Sequence, residues 1–251
     1  MRSGNRKTTV EHWDAAWQAG IRLRLPSGLE IGTRNIMWLL RKYVRPGMQV
    51  LEIGFAPGKM LSWTGAVLGA QVSGLDYSEI GIAAARRLFE HIGLKGDLRY
   101  EDMFDTTFKS GSFDLVCSFG LIEHFDDPRE IVRRHAVLAK PGGVVLITVP
   151  NYGGIYGRIQ RYFDPESLDI HNLDIMNPGT LAKLAPLDTV AEVQTFEYGR
   201  MSPWLISFSK RWPRLVAGGS AVFLNGIALL QPFDLKPVCP LIVLKMVRKA
   251  T

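Results

Sequence analysis

Between residues 49 and 150 the chain alternates short apolar runs with stretches of helical periodicity. Strands that are apolar along nearly their whole length are typical of parallel sheets, because helices cover both faces of such sheets. In chain order the runs are QVLEIG, QVSGLD, DLRYED, FDLVCSFG and VVLITVP. We therefore predict an α/β fold, a doubly wound, Rossmann-like, mostly parallel sheet with helices on both faces.

The residues before this core predict two helices. Thr9 can cap a helix that runs from Val10 to Ala19, and Thr33 can cap a second one that ends before Pro46. The first helix places Trp13 and Trp17 on one face.

The residues after the core predict two more strands and a short helix. Residues 151–176 have a loop-like, aromatic composition, and Asn177 followed by Pro178 is typical of a helix start. Residues 189–199 and 240–249 have the composition of strands.

An apolar run of sixteen residues, Leu215 to Leu230, lies between those two strands. At about 1.5 Å per residue it makes a helix of about 24 Å, too short for the roughly 30 Å of bilayer hydrocarbon. We expect a buried helix or a lid over an apolar substrate. Basic and aromatic residues flank the run: Arg200, Lys210, Arg211, Trp212 and Arg214. They also permit an interfacial helix and peripheral membrane contact through residues 200–232.

Composition excludes several classes of protein. A hydrophobic content of 47% and a charged content of 22% exclude a disordered or fibrous chain. Cys117 and Cys239 are too few for a disulfide framework. The polar start, MRSGNRKTT, lacks the apolar segment of a secretory signal, so we expect a cytoplasmic protein.

Positive charge is concentrated at the two ends of the chain. Residues 1–49 hold nine basic and three acidic residues, and residues 199–251 hold eight and one. Such ends can attract nucleic acid, anionic lipid or an acidic substrate, or can be solvated faces without a partner. We predict no nucleic-acid partner, because the basic residues are not interleaved with aromatic ones in one stripe.

A glycine loop follows the first predicted strand, with Gly54, Ala56 and Gly58 at alternate positions. Glycine lets the backbone turn sharply and lets a ligand approach it closely. A dinucleotide fingerprint needs a third small residue, yet its position holds Lys59, and Glu52 would repel a pyrophosphate. The loop therefore favours an adenosine ligand that carries positive charge.

Two further acids end the next two strands. Asp76 ends QVSGLD, where a carboxylate can accept hydrogen bonds from both ribose hydroxyls. Asp102 ends DLRYED and can accept from an adenine amino group. With Glu52, these acids lie at the carboxyl ends of three successive strands, which in doubly wound sheets meet at one crevice.

These motifs resemble those of the class I S-adenosylmethionine-dependent methyltransferases. The resemblance covers roughly residues 49–150 and includes FDLVCSFGLIEHFDDP followed by LAKPGGVVLITVPN. It implies S-adenosyl-L-methionine as cofactor. Glu52, Gly54, Ala56 and Gly58 would surround its methionine part, and Ala56 stands where many members have glycine.

The resemblance also implies roles for later residues. Asp76 would bind the ribose, Tyr77 would lie against the adenine, and Asp102 with the Met103 backbone would bind its edge. The Phe119 carbonyl would meet the ammonium group. Trp13 and Trp17 would close over the cofactor, as aromatic N-terminal helices do in several branches, or would simply pack on the core.

Two histidines are candidates for a catalytic base. His124 follows the fourth strand, and His171 lies in the variable segment where this fold keeps acceptor-binding residues. The quinone O-methyltransferase branch has E-x-x-E-H here, but Gly120 replaces its first glutamate. Because only Glu123 and His124 remain, we predict no metal.

Under this resemblance the chain divides into an N-terminal helical cap, residues 1–48, and a methyltransferase domain, residues 49–251. The domain holds a cofactor-binding core (49–150), substrate and lid segments (151–239) and the last strand (240–251).

We expect methyl transfer to an oxygen, or a nitrogen, of a small, apolar or aromatic acceptor. The alternatives are a membrane-docking prenyl-quinone or lipid methyltransferase, an NAD(P)-dependent oxidoreductase and a non-catalytic adenosyl binder. The oligomeric state is left open.

Overall fold

A computed structural model describes residues 6–18, 23–29, 31–232 and 234–250 of the chain. The predicted helix end at Ala19 lies outside the described residues, as do the two extremities of the chain, residues 1–5 and 251.

Seven strands of the described chain form one sheet, in the order β3-β2-β1-β4-β5-β7-β6. The first five are parallel to one another, and β7 runs antiparallel to both β5 and β6. The strands are β1 Gln49–Ile53, β2 Gln71–Asp76, β3 Asp97–Tyr100, β4 Phe113–Phe119, β5 Ala139–Pro150, β6 Val190–Tyr198 and β7 Leu241–Arg248. The predicted mostly parallel, doubly wound sheet is confirmed.

Helices cover both faces of the sheet. On one face α2, α3 and α4 pack against Val50, and on the other α5 and α8 pack against Leu51 and Ile53. The α-helices described are α1 Val10–Gln18, α2 Ile31–Tyr43, α3 Lys59–Leu68, α4 Glu79–His91, α5 Arg129–Leu138, α6 Ile155–Phe163, α7 Glu166–Asp169, α8 Pro178–Ala182 and α9 Arg214–Leu230. The apolar faces of α2, α3, α4, α5 and α8 are buried because β1 presents apolar side chains to both faces of the sheet, Val50 to one and Leu51 and Ile53 to the other.

The reversal of β7 determines where the C-terminal segments lie. Leu241, the first residue of β7, pairs with Pro150 at the end of β5 and with Tyr198 at the end of β6. The segments that leave β5 and β6 therefore both start at the carboxyl edge of the parallel strands. In doubly wound sheets this edge is the ligand-binding edge.

Several local predictions are confirmed. The Thr9 hydroxyl accepts a hydrogen bond from the His12 amide, and the Asn177 side chain accepts one from Thr180 with Pro178 at the first helical position. The predicted strands at 189–199 and 240–249 match β6 and β7 within a residue at each end.

Three local predictions are wrong. Thr33 lies inside α2, which begins two residues earlier. The loop predicted at 151–176 contains α6 and α7, because Tyr156, Gln160 and Phe163 recur at helical spacing and are buried. The helix at Leu215–Leu230 is present, but the burial expected of it is wrong, because only Ala217 and Ala228 within it are shielded from solvent. The alternative of a lid over an apolar substrate stays a prediction.

No helix in the described ranges is both long enough and apolar enough to cross a bilayer.

Candidate active site

The loop between β1 and α3 needs glycine at two positions. Gly54 has φ of +70° and Gly58 has φ of +88°, in the left-handed region that side chains disfavour. A Cβ atom at Gly58 would lie 2.9 Å from the Ala85 Cβ, closer than two carbon atoms pack. The loop therefore turns tightly onto α4 and presents its backbone to the space above the sheet.

Ala56 fits this loop in spite of its methyl group. Asp234 is the one non-glycine residue in the described chain with a positive φ, so φ of Ala56 is negative, and the peptide bond from Ala56 to Pro57 is cis. Its methyl group faces Gly81 of α4, where an added Cβ would lie only 2.6 Å away. Gly81 thus makes room for alanine at a position where many class I methyltransferases have glycine.

Asp76 connects this loop to the end of β2. Its two carboxylate oxygens accept hydrogen bonds from the Ala56 amide at 3.0 Å and from the Ser78 amide at 2.9 Å. Burial raises the pKa of Asp76. Burial, together with the neighbouring Asp76, raises the pKa of Glu52 well above its usual range. Two buried acids side by side create a strong preference for a cationic ligand.

A cavity of about 110 Å³ opens beside these acids. Its lining comprises Trp13, Trp17, Gly54, Ala56, Asp76, Tyr77, Phe119, Gly120 and Leu121. Seven of these nine were predicted as cofactor contacts from the sequence. Gly120 and Leu121 were missed, although they directly follow the end of β4 and could have been included on that ground. Glu52, Gly58, Asp102 and Met103 do not line the cavity, and Met103 is buried in the core.

Helix α1 forms the outer wall of the cavity. The Trp13 and Trp17 rings are stacked with centroids 6.0 Å apart, and neither ring is fully buried. The Trp13 indole donates a hydrogen bond to the Thr8 hydroxyl, and the Ser78 hydroxyl donates one to Asp14. The sequence left two alternatives for Trp13 and Trp17, closure over the cofactor or packing on the core. Both residues line the cavity and neither is buried, which favours the first alternative.

Arg6 occupies the side of the cavity predicted for the adenine. Its guanidinium forms an ion pair with Asp102 at 2.7 Å and lies 4.5 Å from the centroid of the Tyr77 ring. The Lys7 amide donates a hydrogen bond to the His124 carbonyl, which holds this N-terminal segment across the site. No sequence motif signalled this contact.

His124 and His171 form a pair beside the outer wall of the cavity, which α1 forms. The ring centroids of His124 and His171 are 4.9 Å apart, and the Trp13 ring meets His124 edge-on at 5.1 Å. The 3₁₀ turn Ile122–His124 and the loop that carries His171 are joined by a hydrogen bond from the Asn172 amide to the Glu123 carbonyl. The structure thus brings together the two histidines that the sequence separates by 47 residues.

Hydrogen bonds fix the protonation of both rings. Nδ1 of His124 lies 2.9 Å from the Ile170 carbonyl, and Nδ1 of His171 lies 2.6 Å from the Ser167 carbonyl. Because a carbonyl only accepts, both Nδ1 atoms carry the proton and both Nε2 atoms keep a lone pair. Burial lowers the pKa of His124 to about 4 and also lowers the pKa of His171. Both imidazoles are neutral at pH 7.

Glu123 joins the pair as a third donor. Its carboxyl is buried, one oxygen has no hydrogen-bond partner among the described residues, and burial raises its pKa to about 8. One ligand atom from each of Glu123, His124 and His171 lies within 4.8 Å of the others, which is close enough to hold a metal ion. The prediction of no metal assumed two donors, so His171 removes its basis, and the prediction itself stays untested.

Comparison with known proteins agrees with this geometry. A family profile described as a methyltransferase domain matches residues 27–192, well over half of the chain. The chain belongs to this family. The predicted class I S-adenosylmethionine-dependent methyltransferase family and its fold are confirmed, and the cofactor of the family is S-adenosylmethionine.

Individual relatives match parts or the whole of this methyltransferase. A ubiquinone biosynthesis O-methyltransferase of Bordetella bronchiseptica is 39% identical over 106 residues, which is 42% of this chain and 44% of the relative. The chain therefore matches less than half of that relative's length.

Among solved structures, phosphoethanolamine N-methyltransferase 2 of Haemonchus contortus in complex with S-adenosyl-L-methionine has a TM-score of 0.60 at 21% sequence identity. The superposition covers 96% of this chain and 57% of the Haemonchus chain. An S-adenosylmethionine-dependent methyltransferase of Thermotoga maritima has a TM-score of 0.62 at 14% identity, covering 97% of both chains. These two structures establish the fold.

Proposed function

We propose that this methyltransferase transfers a methyl group to a hydroxyl of a small, aromatic and largely apolar acceptor. The observation that carries the proposal is the pair of neutral imidazoles, His124 and His171, beside the cavity. They do not line it, but His124 contacts Trp13 of its wall and His171 contacts His124. A hydroxyl must lose its proton as its oxygen is methylated, so a base within hydrogen-bond reach is needed. Both Nε2 atoms retain the lone pair that this task requires.

The residues around the cavity suit S-adenosylmethionine. Glu52 is a buried carboxyl that stays ionised only beside a cation, and the cofactor carries both an ammonium and a sulfonium group. The backbone turn at Gly54 leaves room for close approach, and Asp76 faces the cavity where ribose hydroxyls would lie. Arg6 must move from Asp102 when an adenine takes its place.

When bound, the cofactor supplies a methyl group from its sulfonium, and the sulfur keeps the electron pair of the broken bond. Nε2 of His171 accepts the proton that the acceptor oxygen loses, and the Ser167 carbonyl keeps Nδ1 protonated throughout. Trp13 and Trp17 exclude water from the reacting groups. Alignment of two reactants in this way contributes on the order of 7–11 kcal/mol.

The acceptor that we favour is a phenol or catechol of the prenyl-quinone type. The Tyr152 ring meets His171 edge-on, with ring centroids 5.4 Å apart, and could pack against an aromatic acceptor beside the base. The Bordetella relative carries the name of a ubiquinone biosynthesis O-methyltransferase, although it matches this chain only in part.

The test is transfer from isotopically labelled S-adenosylmethionine to a panel of catechols, phenols and amines, followed by mass spectrometry. We expect O-methylated aromatic products. N-methylated products alone would overturn the choice of acceptor atom. Binding of NADH without binding of S-adenosylhomocysteine would overturn the cofactor as well.

Removal of divalent cations distinguishes a base from a metal centre at the histidine pair. If His171 acts as the base, dialysis against EDTA leaves the rate of O-methylation unchanged. A rate that falls on dialysis and returns with added Mg²⁺, Mn²⁺ or Zn²⁺ would instead assign Glu123, His124 and His171 to a metal ion.

A further inference from the structure

Helix α9 exposes its apolar face and turns its polar residues inward. At about 100° per residue, the exposed residues cover one half of the helix surface, and all of them after Arg214 are apolar or glycine. The large ones include Leu215, Val216, Val222, Phe223, Ile227 and Leu230. Leu215 and Leu230 are 91% and 89% exposed, and Val222 and Phe223 are 72% and 69% exposed.

The inward half of α9 holds the polar groups of the run. Ala217 and Ala228 are buried there, and Asn225 accepts a hydrogen bond from Arg34 of α2 at 3.4 Å. A helix on the surface of a protein in water normally has the opposite arrangement. Contiguous exposed apolar surface of this kind marks a contact with a protein or a membrane.

The charges around α9 favour a membrane. Lys210, Arg211 and Arg214 are exposed at the start of the helix, and no acidic residue occurs between positions 198 and 233. Arg211 lies 4.8 Å from the centroid of the Tyr162 ring, which is itself exposed. Apolar residues bordered by basic and amphipathic aromatic residues are typical of helices that lie in the interface of anionic lipid.

We propose that α9 docks this methyltransferase on the surface of an anionic lipid bilayer, with its outer face in the headgroup region and the cluster of Lys210, Arg211 and Arg214 on the lipid phosphates. The helix lies in the plane of the membrane, since it is too short to cross it.

The 3₁₀ turn Pro203–Leu205 packs against α9 and connects it to the candidate acceptor end of the site. The Tyr152 hydroxyl donates a hydrogen bond to the Leu205 carbonyl, and the same ring contacts His171. The Ser202 amide donates to the Tyr156 hydroxyl of α6. A membrane-dissolved acceptor would therefore enter from the side that carries α9. This route rests on the proposed function, whereas the docking itself does not.

Sedimentation with vesicles tests the docking without any measure of catalysis. Vesicles of phosphatidylglycerol and phosphatidylcholine in equal parts should pellet the protein at low salt. Phosphatidylcholine alone should pellet less of it, and high salt should weaken the binding because it screens the charges. Absence of pelleting with the anionic vesicles at low salt would overturn the proposal.

Variants locate the contact. The double variant Leu215→Ser, Phe223→Ser should bind the anionic vesicles at least about ten-fold more weakly than the unaltered protein. The control is the double variant Val67→Ser, Leu187→Ser, which removes two exposed apolar side chains outside α9 and should bind normally. Lys210→Gln, Arg211→Gln, Arg214→Gln should lose the preference for anionic lipid. Equal binding by all variants would remove α9 from the interface.

A second copy of the chain is the competing occupant. Concentration-dependent association without lipid, abolished by Leu215→Ser, Phe223→Ser, would assign the face to a dimer and overturn membrane docking. The rate of methylation of a water-soluble phenol should be unchanged in Leu215→Ser, Phe223→Ser. A variant that no longer binds vesicles but still methylates the phenol separates loss of docking from failure of the proposed function.

Discussion

Asp76 connects two elements of the site at once. It accepts hydrogen bonds from the glycine loop and from the start of α4, and its side chain also faces the cavity. It therefore holds the loop in position whether or not a ligand is bound, and a ribose would add to its hydrogen bonds.

Asp76→Ala should weaken the binding of S-adenosylhomocysteine by about 1.5–3 kcal/mol for each charged hydrogen bond lost. Isothermal titration measures this change. Asp105→Ala is the matched control, because Asp105 is exposed near the end of β3 and does not line the cavity. An unchanged dissociation constant in Asp76→Ala would remove Asp76 from the cofactor site.

His171→Ala should lower kcat by about 10²–10⁴-fold and leave the dissociation constant of S-adenosylhomocysteine nearly unchanged. The same substitution at His91, which is exposed on α4, is the control and should change neither quantity. A cofactor affinity that falls together with kcat would indicate a structural role for His171.

The pH dependence of kcat follows from the state of the same imidazole. Burial lowers the pKa of His171 below its ordinary value of 6.5, and the ring is a base only when it is neutral. Therefore kcat should rise with pH on a limb centred below 6.5 and stay level above it. A rising limb centred above 6.5 would contradict the assignment of His171 as base.

The N-terminal segment is the element that the sequence revealed least. The start of α1 could be predicted from Thr9 because a helix cap is an interaction between neighbouring residues. The strand ends and the two glycines of the loop could also be predicted, because they too depend on local sequence. The contact between Arg6 and Asp102 joins residues 96 positions apart, and it depends on how α1 packs. The meeting of His124 and His171 has the same non-local origin.

Arg6→Ala should tighten the binding of S-adenosylhomocysteine by up to about five-fold, because the cofactor then no longer displaces a partly exposed ion pair worth up to about 1 kcal/mol. Lys7→Ala is the control, because Lys7 pairs with Asp126, which has no proposed contact with the cofactor, whereas Arg6 lies over Tyr77 of the cavity lining. Weaker binding by Arg6→Ala would show that Arg6 stays on the adenine side in the complex.

The described chain packs around a single sheet, so a ligand at its edge should stabilise the whole protein. S-adenosylhomocysteine at 100 times its dissociation constant adds about 2.7 kcal/mol, which raises Tm by about 5–10 °C for a chain of this size. A thermal shift assay should show this rise, and NADH should give none. Stabilisation by NADH alone would contradict the assigned cofactor.

The architecture was predictable from the sequence, because strands buried on both faces are apolar throughout and leave a clear pattern. The surface of α9 was not predictable in the same way. An apolar run of this length is equally consistent with a helix inside the core and with one outside it, and only the packing of Ala217 and Ala228 shows which half faces inward.

The antiparallel strand β7 has a consequence for how such an enzyme can diversify. Since Leu241 lies beside the ends of both β5 and β6, the 199–240 segment leaves and re-enters the sheet at the ligand-binding edge, and the 151–176 segment starts at the same edge. Exchange of either segment between relatives would change the acceptor or the membrane contact of the enzyme. The parallel strands and the glycine loop, which hold the methyl donor, would stay unchanged.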